Sequence, residues 1–163
     1  MAISPPPGLM ANVFPRPPAS AVTRLLTEAG LPSSDVTEGH LKYFFGCGSG
    51  GAPEGIVGIE LYGPVALLRS LAVSEKCRGQ GCGTALVAQA EQFARSRRVE
   101  AVYLLTATAA SFFERLGYAR AKREAAPLAI QRTQEFSALC SSSATLMVKR
   151  LQAEEEPNAR ASR

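Results

Sequence analysis

The chain has 163 residues, a length that suits one domain with a sizeable hydrophobic core. Apolar residues make up 46% of it and charged residues 20%, the balance of an ordinary globular protein. No apolar run approaches the roughly 20 residues that a membrane-spanning helix needs, and residues 1–18 lack the basic and apolar regions of a secretory signal. We therefore expect a cytoplasmic protein that does not engage a membrane.

The net charge of +4 raises the question of a nucleic-acid partner, which a basic chain can attract. The basic residues are not gathered into one long stripe, and Arg95, Arg97 and Arg98 fall where a helix should end. Cations at that position complement the helix dipole. We therefore expect no nucleic-acid partner.

The cysteines and the single histidine bear on metal binding and redox chemistry. Cys47, Cys77, Cys82 and Cys140 do not follow the C-x-x-C spacing of a zinc site, and His40 is the one histidine in the chain. A cytosolic chain keeps its thiols reduced. We expect free thiols and no metal.

In the first half, the pattern predicts a Pro-rich segment over 1–18 with a first strand near 11–14, a helix over 20–29, and strands over 40–47, 56–62 and 65–73. Ser20 is a suitable N-cap for the helix, and Gly30 and Pro32 end it. The turn residues 48–53 predict that the strands on either side of them form a hairpin.

In the second half, the pattern predicts a helix over 81–97, a strand over 101–105, a helix over 108–116, a strand from residue 118, a short helix near 130–139 and a last strand over 143–151. The strand–helix–strand order from Val65 to Leu105 predicts a βαβ unit with parallel neighbouring strands. We expect 19–151 to form a single domain and 152–163 to be a disordered tail.

A glycine-rich segment, 73–84, lies between a buried strand and an amphipathic helix. Its three alternating glycines allow a tight turn and close approach of a ligand, and the following helix N-terminus suits a phosphate or diphosphate. Arg78 adds a positive charge. The segment lacks the Gly-Lys-Ser/Thr of a Walker A loop and the spacing of a dinucleotide fingerprint. A turn without a ligand remains the alternative.

Three segments together resemble the GNAT acetyltransferases. Arg78-x-x-Gly81-x-Gly83 is similar to that family's diphosphate loop, 68–73 resembles its central strand, and 109–118 resembles its helix-to-strand segment. The resemblance implies an α/β (α+β) fold, with a central mixed, mainly antiparallel sheet of six to seven strands flanked by helices. In that sheet the central parallel pair is splayed.

A narrower resemblance concerns the C-terminal third. FFERLGY, followed by Arg123, Pro127 and EFSALCSSSATLMVKRL, is similar to the acetyltransferase branch associated with arsenic-resistance operons. This resemblance implies that the substrate is an amino-acid-like organoarsenical or a related toxic amine.

The family resemblance implies acetyl-CoA as the acetyl donor and assigns residues to it. The residues implied at the pantetheine arm are Leu71, Ala72 and Val73, those at the diphosphate are Arg78, Gly79, Gln80, Gly81, Cys82, Gly83 and Thr84, and further contacts are Thr106, Phe112, Phe113 and Arg115. An amide near Leu71 would polarise the thioester carbonyl. Thr106 stands where the family usually has an asparagine.

The catalytic residues are less settled by the resemblance. Many relatives use a tyrosine as the acid for the departing thiolate where this chain has Phe113, and Tyr118, Tyr103 and Cys140 are alternatives for that role. Glu60 is the leading candidate for the base, although it could equally face solvent.

Two neighbouring polar residues and the histidine complete the predicted site. Arg69 and Ser70 would orient a substrate carboxylate or oxyanion, and a structural ion pair is the alternative for Arg69. We expect His40 to be an ordinary strand residue.

These observations predict an N-acetyltransferase that acts on the amine of a small molecule. Acetylation of a protein, a non-catalytic acyl-CoA sensor and a thiol-based arsenite binder that uses Cys77, Cys82 and Cys140 are the alternatives. Dimers are common in the family, so a homodimer is also open.

Overall fold

The computed structural model of the chain describes residues 12–49, 52–139 and 143–152. Its strands are β1 (Val13–Pro15), β2 (Phe44–Ser49), β3 (Ala52–Tyr62), β4 (Val65–Val73), β5 (Ala101–Thr106), β6 (Ala119–Ala121) and β7 (Thr145–Arg150). Its α-helices are α1 (Ala19–Ala29), α2 (Glu38–Leu41), α3 (Cys82–Ser96), α4 (Ala110–Arg115) and α5 (Leu128–Gln131). Residues 153–163 of the predicted tail lie outside the described residues, as does Cys140.

The seven strands form one sheet in the order β1-β2-β3-β4-β5-β7-β6. The β4–β5 pair is parallel, and every other pair is antiparallel. Because α3 connects the two parallel strands, β4, α3 and β5 form the βαβ unit that the sequence predicts. The predicted fold class is confirmed.

The two parallel strands pair over only part of their length. β4 pairs with β5 from Val65 to Leu67, opposite Ala101 to Tyr103. Beyond that point β4 stays on β3 as far as Val73, and β5 stays on β7 as far as Thr106. The sheet therefore opens between the C-terminal halves of its two central strands.

Helices cover both faces of the sheet. Successive strand residues point to opposite faces, and Ile56 packs in the cluster around α1, whereas Val57 packs in the cluster around α3. Leu67 lies with Ile130 of α5, and Leu68 lies on the α3 side. The core is thus divided into two layers by the sheet.

The helix α1 ends where the sequence predicts. Gly30 has a φ of +70° and donates its N–H to Thr27, and the next N–H, that of Leu31, bonds to the carbonyl of Leu26. This Schellman arrangement needs a left-handed residue, for which glycine carries no steric penalty. The chain then turns at the mouth of the opening between β4 and β5.

Two predicted elements are wrong in part. The strand predicted over 40–47 begins at Phe44, because Thr37 caps α2 through reciprocal hydrogen bonds with His40. The helix predicted near 130–139 is divided into α5 and a single π-helical turn, Glu135–Leu139. Ser20, the predicted N-cap of α1, lies inside the helix, whose N-cap is Pro18. The other predicted boundaries lie within a few residues of the observed ones.

The domain limits stay predictions. β1 falls within the predicted Pro-rich segment, yet it pairs with β2 as the edge of the sheet. Among the described helices, none has the length and hydrophobicity needed to span a bilayer.

Candidate active site

A cleft of about 690 Å³ occupies the opening between β4 and β5. Its walls are residues 29–32 at the end of α1, 68–73 of β4, 77–79 and 83 of the glycine-rich turn, 104–109, 112 and 113 from β5 into α4, and Glu135 and Ala144. The cleft therefore joins the glycine-rich turn at one end to the π-helical turn at the other.

A β-bulge in β4 borders this cleft. Arg69 pairs with Gly58 and Ala72 with Ile56, so two residues of β4, Ser70 and Leu71, lie opposite one residue of β3. Ser70 has a φ of +58°, a conformation uncommon outside glycine. Because a bulge removes backbone groups from the ladder, peptide groups of β4 become available to a ligand in the cleft.

The glycine-rich turn leads directly into α3. Gly81 has a φ of +90° immediately before the helix and provides no side-chain cap, so the first-turn amides remain available for an anion. A Cβ on Gly83 would lie 3.3 Å from Cζ of Phe112, so a small residue there allows α3 and α4 to approach. Arg78 is exposed on the turn and donates from Nε to the carbonyl of Val73.

The cleft brings together most of the predicted cofactor residues. Those that line it are Leu71, Ala72, Val73, Arg78, Gly79, Gly83, Thr106, Phe112 and Phe113. Those that lie outside its lining are Gln80, Gly81, Cys82, Thr84 and Arg115. Their proposed contacts with acetyl-CoA stay predictions, and Cys82 is buried rather than facing the cleft surface.

Two aromatic rings and one hydroxyl shape the side of the cleft beyond β5. The rings of Phe112 and Phe113 pack edge to face with their centroids 5.0 Å apart. Thr106 accepts the N–H of Ala109 at Oγ1 over 2.9 Å, which fixes the start of α4. The Thr106 hydroxyl can still donate its own proton to a ligand.

Arg69 is fully buried at the base of the cleft. Its Nε donates to Oγ of Ser70 at 2.9 Å, and its Nη1 and Nη2 donate to the two carboxylate oxygens of Asp35. Two further carboxylates complete its surroundings: Oε2 of Glu60 lies 2.9 Å from Nη1, and Oε1 of Glu135 lies 3.5 Å from Nη2.

This arrangement fixes the electrostatics of the cleft base. Three carboxylates surround one guanidinium, so the group carries two net negative charges when every member is ionised. Burial would raise the pKa of Asp35, but hydrogen bonds and charge from Arg69 outweigh it and hold that pKa below its ordinary value. We call Asp35, Glu60, Arg69 and Glu135 the acidic cluster.

Glu60, the predicted base, is held within this cluster rather than on the cleft wall. Its Oε1 accepts from the Tyr62 hydroxyl, and its Oε2 lies 2.9 Å from Arg69 Nη1 and 3.4 Å from His40 Nε2. It is absent from the residues that line the cleft. Its role as the base stays a prediction, and this placement does not favour it.

His40, Asp35 and Glu60 bring ligand atoms within 4.8 Å of one another, a spacing that could suit a metal. However, the Thr37 N–H donates to His40 Nδ1, so in a neutral ring the proton lies on Nε2, the atom that faces Glu60. The cluster is thus arranged for hydrogen bonding and ion pairing rather than for metal ligation.

Tyr118, the predicted acid, lies elsewhere. Its hydroxyl donates to Oε2 of Glu91 at 2.9 Å, and Lys149 holds the other oxygen of that carboxylate at 2.9 Å. Burial and the Glu91 charge raise the pKa of Tyr118 far above its ordinary value. Tyr118 and the alternative Tyr103 are not among the cleft-lining residues.

Two members of the acidic cluster, Asp35 and Glu135, are not predicted by the sequence. Asp35 lies in the loop between α1 and α2, and Glu135 begins the π-helical turn. Neither belongs to a motif with fixed spacing, so no local signal in the sequence connects them with Arg69.

The match to known families agrees with this geometry. Residues 15–118 match the acetyltransferase (GNAT) family, and that range is more than half of the chain. The chain therefore belongs to this family, which comprises acyltransferases that use acetyl-CoA as the donor.

One curated relative, an uncharacterised N-acetyltransferase from Chlorobaculum tepidum, is 36% identical over 94 residues. Those residues are 57% of this chain and 60% of the relative, so the chain spans less than two thirds of that protein.

Solved structures show the same fold. The N-acetylglutamate synthase of Neisseria gonorrhoeae, complexed with coenzyme A and N-acetyl-glutamate, matches with a TM-score of 0.75 and 18% identity. The match covers 88% of this chain and 35% of the synthase chain. Rv2747 of Mycobacterium tuberculosis, in complex with CoA, matches with a TM-score of 0.69 and 17% identity, over 86% of this chain and 99% of its own.

Proposed function

We propose that the protein is an N-acetyltransferase that moves the acetyl group of acetyl-CoA to the amine of a small molecule. The observation that carries the proposal is the cleft between β4 and β5, which runs from the bulge at Ser70 to the glycine-rich turn before α3. Family membership and neighbours that are complexed with CoA support it.

The residues present fit three parts of the donor: the pantetheine arm, the diphosphate and the thioester. Leu71, Ala72 and Val73 offer backbone groups along the cleft for the pantetheine arm. The amides that open α3, with the positive end of its dipole, suit the diphosphate. A backbone N–H at the bulge would stabilise negative charge on the thioester oxygen.

Phe113 stands where many relatives have a tyrosine, but this difference does not exclude acetyl transfer. The leaving group is a thiolate, and a thiolate is a far weaker base than the amine that displaces it. The reaction can therefore depend on positioning of the two reactants in one complex rather than on a protein acid.

The test begins with acetyl-CoA binding, measured by calorimetry on the wild type and on Gly81→Asp. Gly63→Asp is a matched control, because Gly63 is also left-handed, with a φ of +70°, but lies in the turn between β3 and β4. We expect binding in the wild type and control and its loss in Gly81→Asp. Thiol release with a panel of amines then tests catalysis.

Either stage can contradict the proposal. Failure of the wild type to bind acetyl-CoA would remove its basis. Tight binding without thiol release from any amine would instead support the alternative of a non-catalytic acyl-CoA sensor.

The finer proposal, an amino-acid-like organoarsenical as the acceptor, depends on the sequence resemblance of the C-terminal third. None of the relatives described above carries an arsenic-related name. Adding such an amine to the panel tests it directly. The arsenite-binding alternative is less favoured, because Cys82 is buried and burial raises the pKa of its thiol, which opposes the thiolate that arsenite needs.

A cytoplasmic location and a homodimer also stay proposals. Size-exclusion chromatography with light scattering would decide the oligomeric state.

A further inference from the structure

We propose that Glu135 receives the acceptor: its carboxylate binds the acceptor as an ammonium ion and removes a proton from it before attack. The acceptor is then a cationic amine. This inference rests on the proposed N-acetyltransferase function and names the substrate class and the base of that same site.

Glu135 is the carboxylate of the acidic cluster that lies on the cleft wall. It lines the cleft together with Ser70 and Leu71 of the bulge, where the donor's thioester carbonyl is expected. Only 6% of the residue is exposed, so a ligand that reaches it has left most of its water behind. A carboxylate in such surroundings interacts strongly with a cation.

The turn that carries Glu135 is fixed on both sides. Thr133 accepts the N–H of Phe136 at Oγ1 over 3.1 Å and donates to the carbonyl of Ile130 at 2.7 Å. Arg123 lies over the ring of Phe136, 4.6 Å from its centroid, and bonds to the carbonyl of Ala144. A side chain anchored in this way can hold a substrate in one geometry.

The charge around Arg69 argues against an acceptor that is bound there by a carboxylate. Nε, Nη1 and Nη2 all donate hydrogen bonds within the protein. The acidic cluster is also net negative, so this end of the cleft attracts cations and repels anions. Arg69 therefore positions carboxylates and is not free to receive one from the substrate.

Glu60 is the competing base, and its position outside the cleft lining distinguishes it from Glu135. Its two oxygens contact Tyr62, Arg69 and His40, and it does not line the cleft. Glu60 is thus a positioning residue for Arg69, whereas Glu135 is the carboxylate of the acidic cluster that lines the cleft.

The proposed transfer moves two protons and one acetyl group. One proton passes from the ammonium to Glu135, and the lone pair that it leaves on nitrogen forms the bond to the acetyl carbon. The carbon–sulfur bond breaks, and its electron pair leaves with the CoA sulfur. The new amide nitrogen gives its second proton to that thiolate, and Glu135 releases the first to solvent.

The test compares Glu135→Gln with Glu124→Gln, the same change at an exposed carboxylate ahead of α5. With an aliphatic amine, which is an ammonium ion at neutral pH, we expect kcat/KM of Glu135→Gln to fall by about 10²–10⁴-fold. Activity should recover about tenfold for each unit of pH until the amine deprotonates by itself. With an arylamine, which is neutral already, the loss should be much smaller. Glu124→Gln should match the wild type throughout.

Two outcomes would overturn the inference. Equal losses on aliphatic and aryl amines, with no recovery at high pH, would show a structural role for Glu135. Full activity of Glu135→Gln would exclude any role of Glu135 in catalysis. If the wild type binds acetyl-CoA but acetylates no amine, the proposed function fails instead. Glu135 can still be tested as a cation site in that case, by measuring how tightly a quaternary ammonium ion binds to the CoA complexes of Glu135→Gln and Glu124→Gln. Equal affinities of the two variants for the ammonium ion would contradict a cation site at Glu135.

Discussion

Nη2 of Arg69 lies 3.5 Å from Oε1 of Glu135, and this ion pair connects the bulged half of β4 with the π-helical turn across the base of the cleft. The guanidinium belongs to β4, while the carboxylate belongs to a short turn whose Phe136 packs against the core cluster that includes the sheet residues Leu67 and Tyr103. Arg69 therefore contributes to holding the acidic wall of the cleft in place.

The first prediction concerns the stability that Arg69 provides. Arg69→Met removes the guanidinium that Asp35, Glu60 and Glu135 share and leaves the three carboxylates close together. Loss of one partner from a buried ionic group typically costs about 3–5 kcal/mol. We expect the free energy of unfolding, measured by urea denaturation at neutral pH, to fall by about that amount.

Arg120→Met is the matched control, because Arg120 pairs with Glu114 at 2.9 Å on the surface, with both side chains about half exposed. Exposed pairs contribute at most about 1 kcal/mol. Equal effects of the two substitutions would mean that the acidic cluster does not depend on Arg69.

The second prediction is a pH dependence at Asp35. Its folded pKa is lowered below the ordinary value of 3.8, so ionised Asp35 stabilises the fold above that value, and this contribution is lost as the pH falls through the lowered pKa. Asp35→Asn should therefore be less stable than the wild type at neutral pH. Thermal melts from about pH 7 to about pH 2 should show a constant difference at first, which then shrinks as the pH falls below the ordinary pKa of 3.8 toward the lowered one. A difference that is constant over this range would contradict the predicted linkage.

The fold could be predicted from the sequence largely because its strongest signals are local. The apolar spacing of Leu86, Val87 and Ala90 predicts α3, and the uninterrupted apolar run in β4 predicts a strand buried on both faces. Their order along the chain then requires a parallel pair. Where one side chain overrides a pattern, the prediction fails, as it does at Thr37, whose cap converts the start of a predicted strand into helix.

The site could be predicted only where its residues belong to a continuous motif. The glycine-rich turn and the bulged strand are such motifs, and both border the cleft. The acidic cluster is assembled from a loop, two strands and a π-helical turn, and only tertiary packing brings Asp35 and Glu135 to Arg69. The sequence also could not show that the hydroxyl of Tyr118 faces Glu91.

The third prediction tests the bulge. Ser70 has a φ of +58°, which glycine adopts without penalty and a β-branched residue strongly resists. We expect Ser70→Gly to keep acetyl-CoA binding and to lower stability by at most about 1–3 kcal/mol, because the buried Nε of Arg69 loses its acceptor. Ser70→Val should lower stability by about 2 kcal/mol or more and weaken acetyl-CoA binding, as the bulge is forced toward regular pairing. Calorimetry measures acetyl-CoA binding, and urea denaturation measures stability. Unchanged binding in Ser70→Val would show that the bulge does not contribute to the donor site.

The fourth prediction separates a structural from a catalytic role for Tyr118. In Tyr118→Phe, Oε2 of Glu91 loses its buried donor, and an unsatisfied charged group of this kind lowers stability by about 1–3 kcal/mol. Because the hydroxyl faces Glu91 and not the cleft, kcat for thiol release should fall far less than the about 100-fold expected on removal of a catalytic acid.

Tyr43→Phe is the control, since the Tyr43 ring packs on Phe93 and Arg97. We expect the stability of the Tyr43→Phe variant to differ from that of the wild type by less than about 0.5 kcal/mol. A kcat decrease of about 100-fold in Tyr118→Phe, with stability unchanged, would instead assign Tyr118 to the chemistry, because loss of an acid that acts on the departing thiolate would slow turnover without weakening the fold.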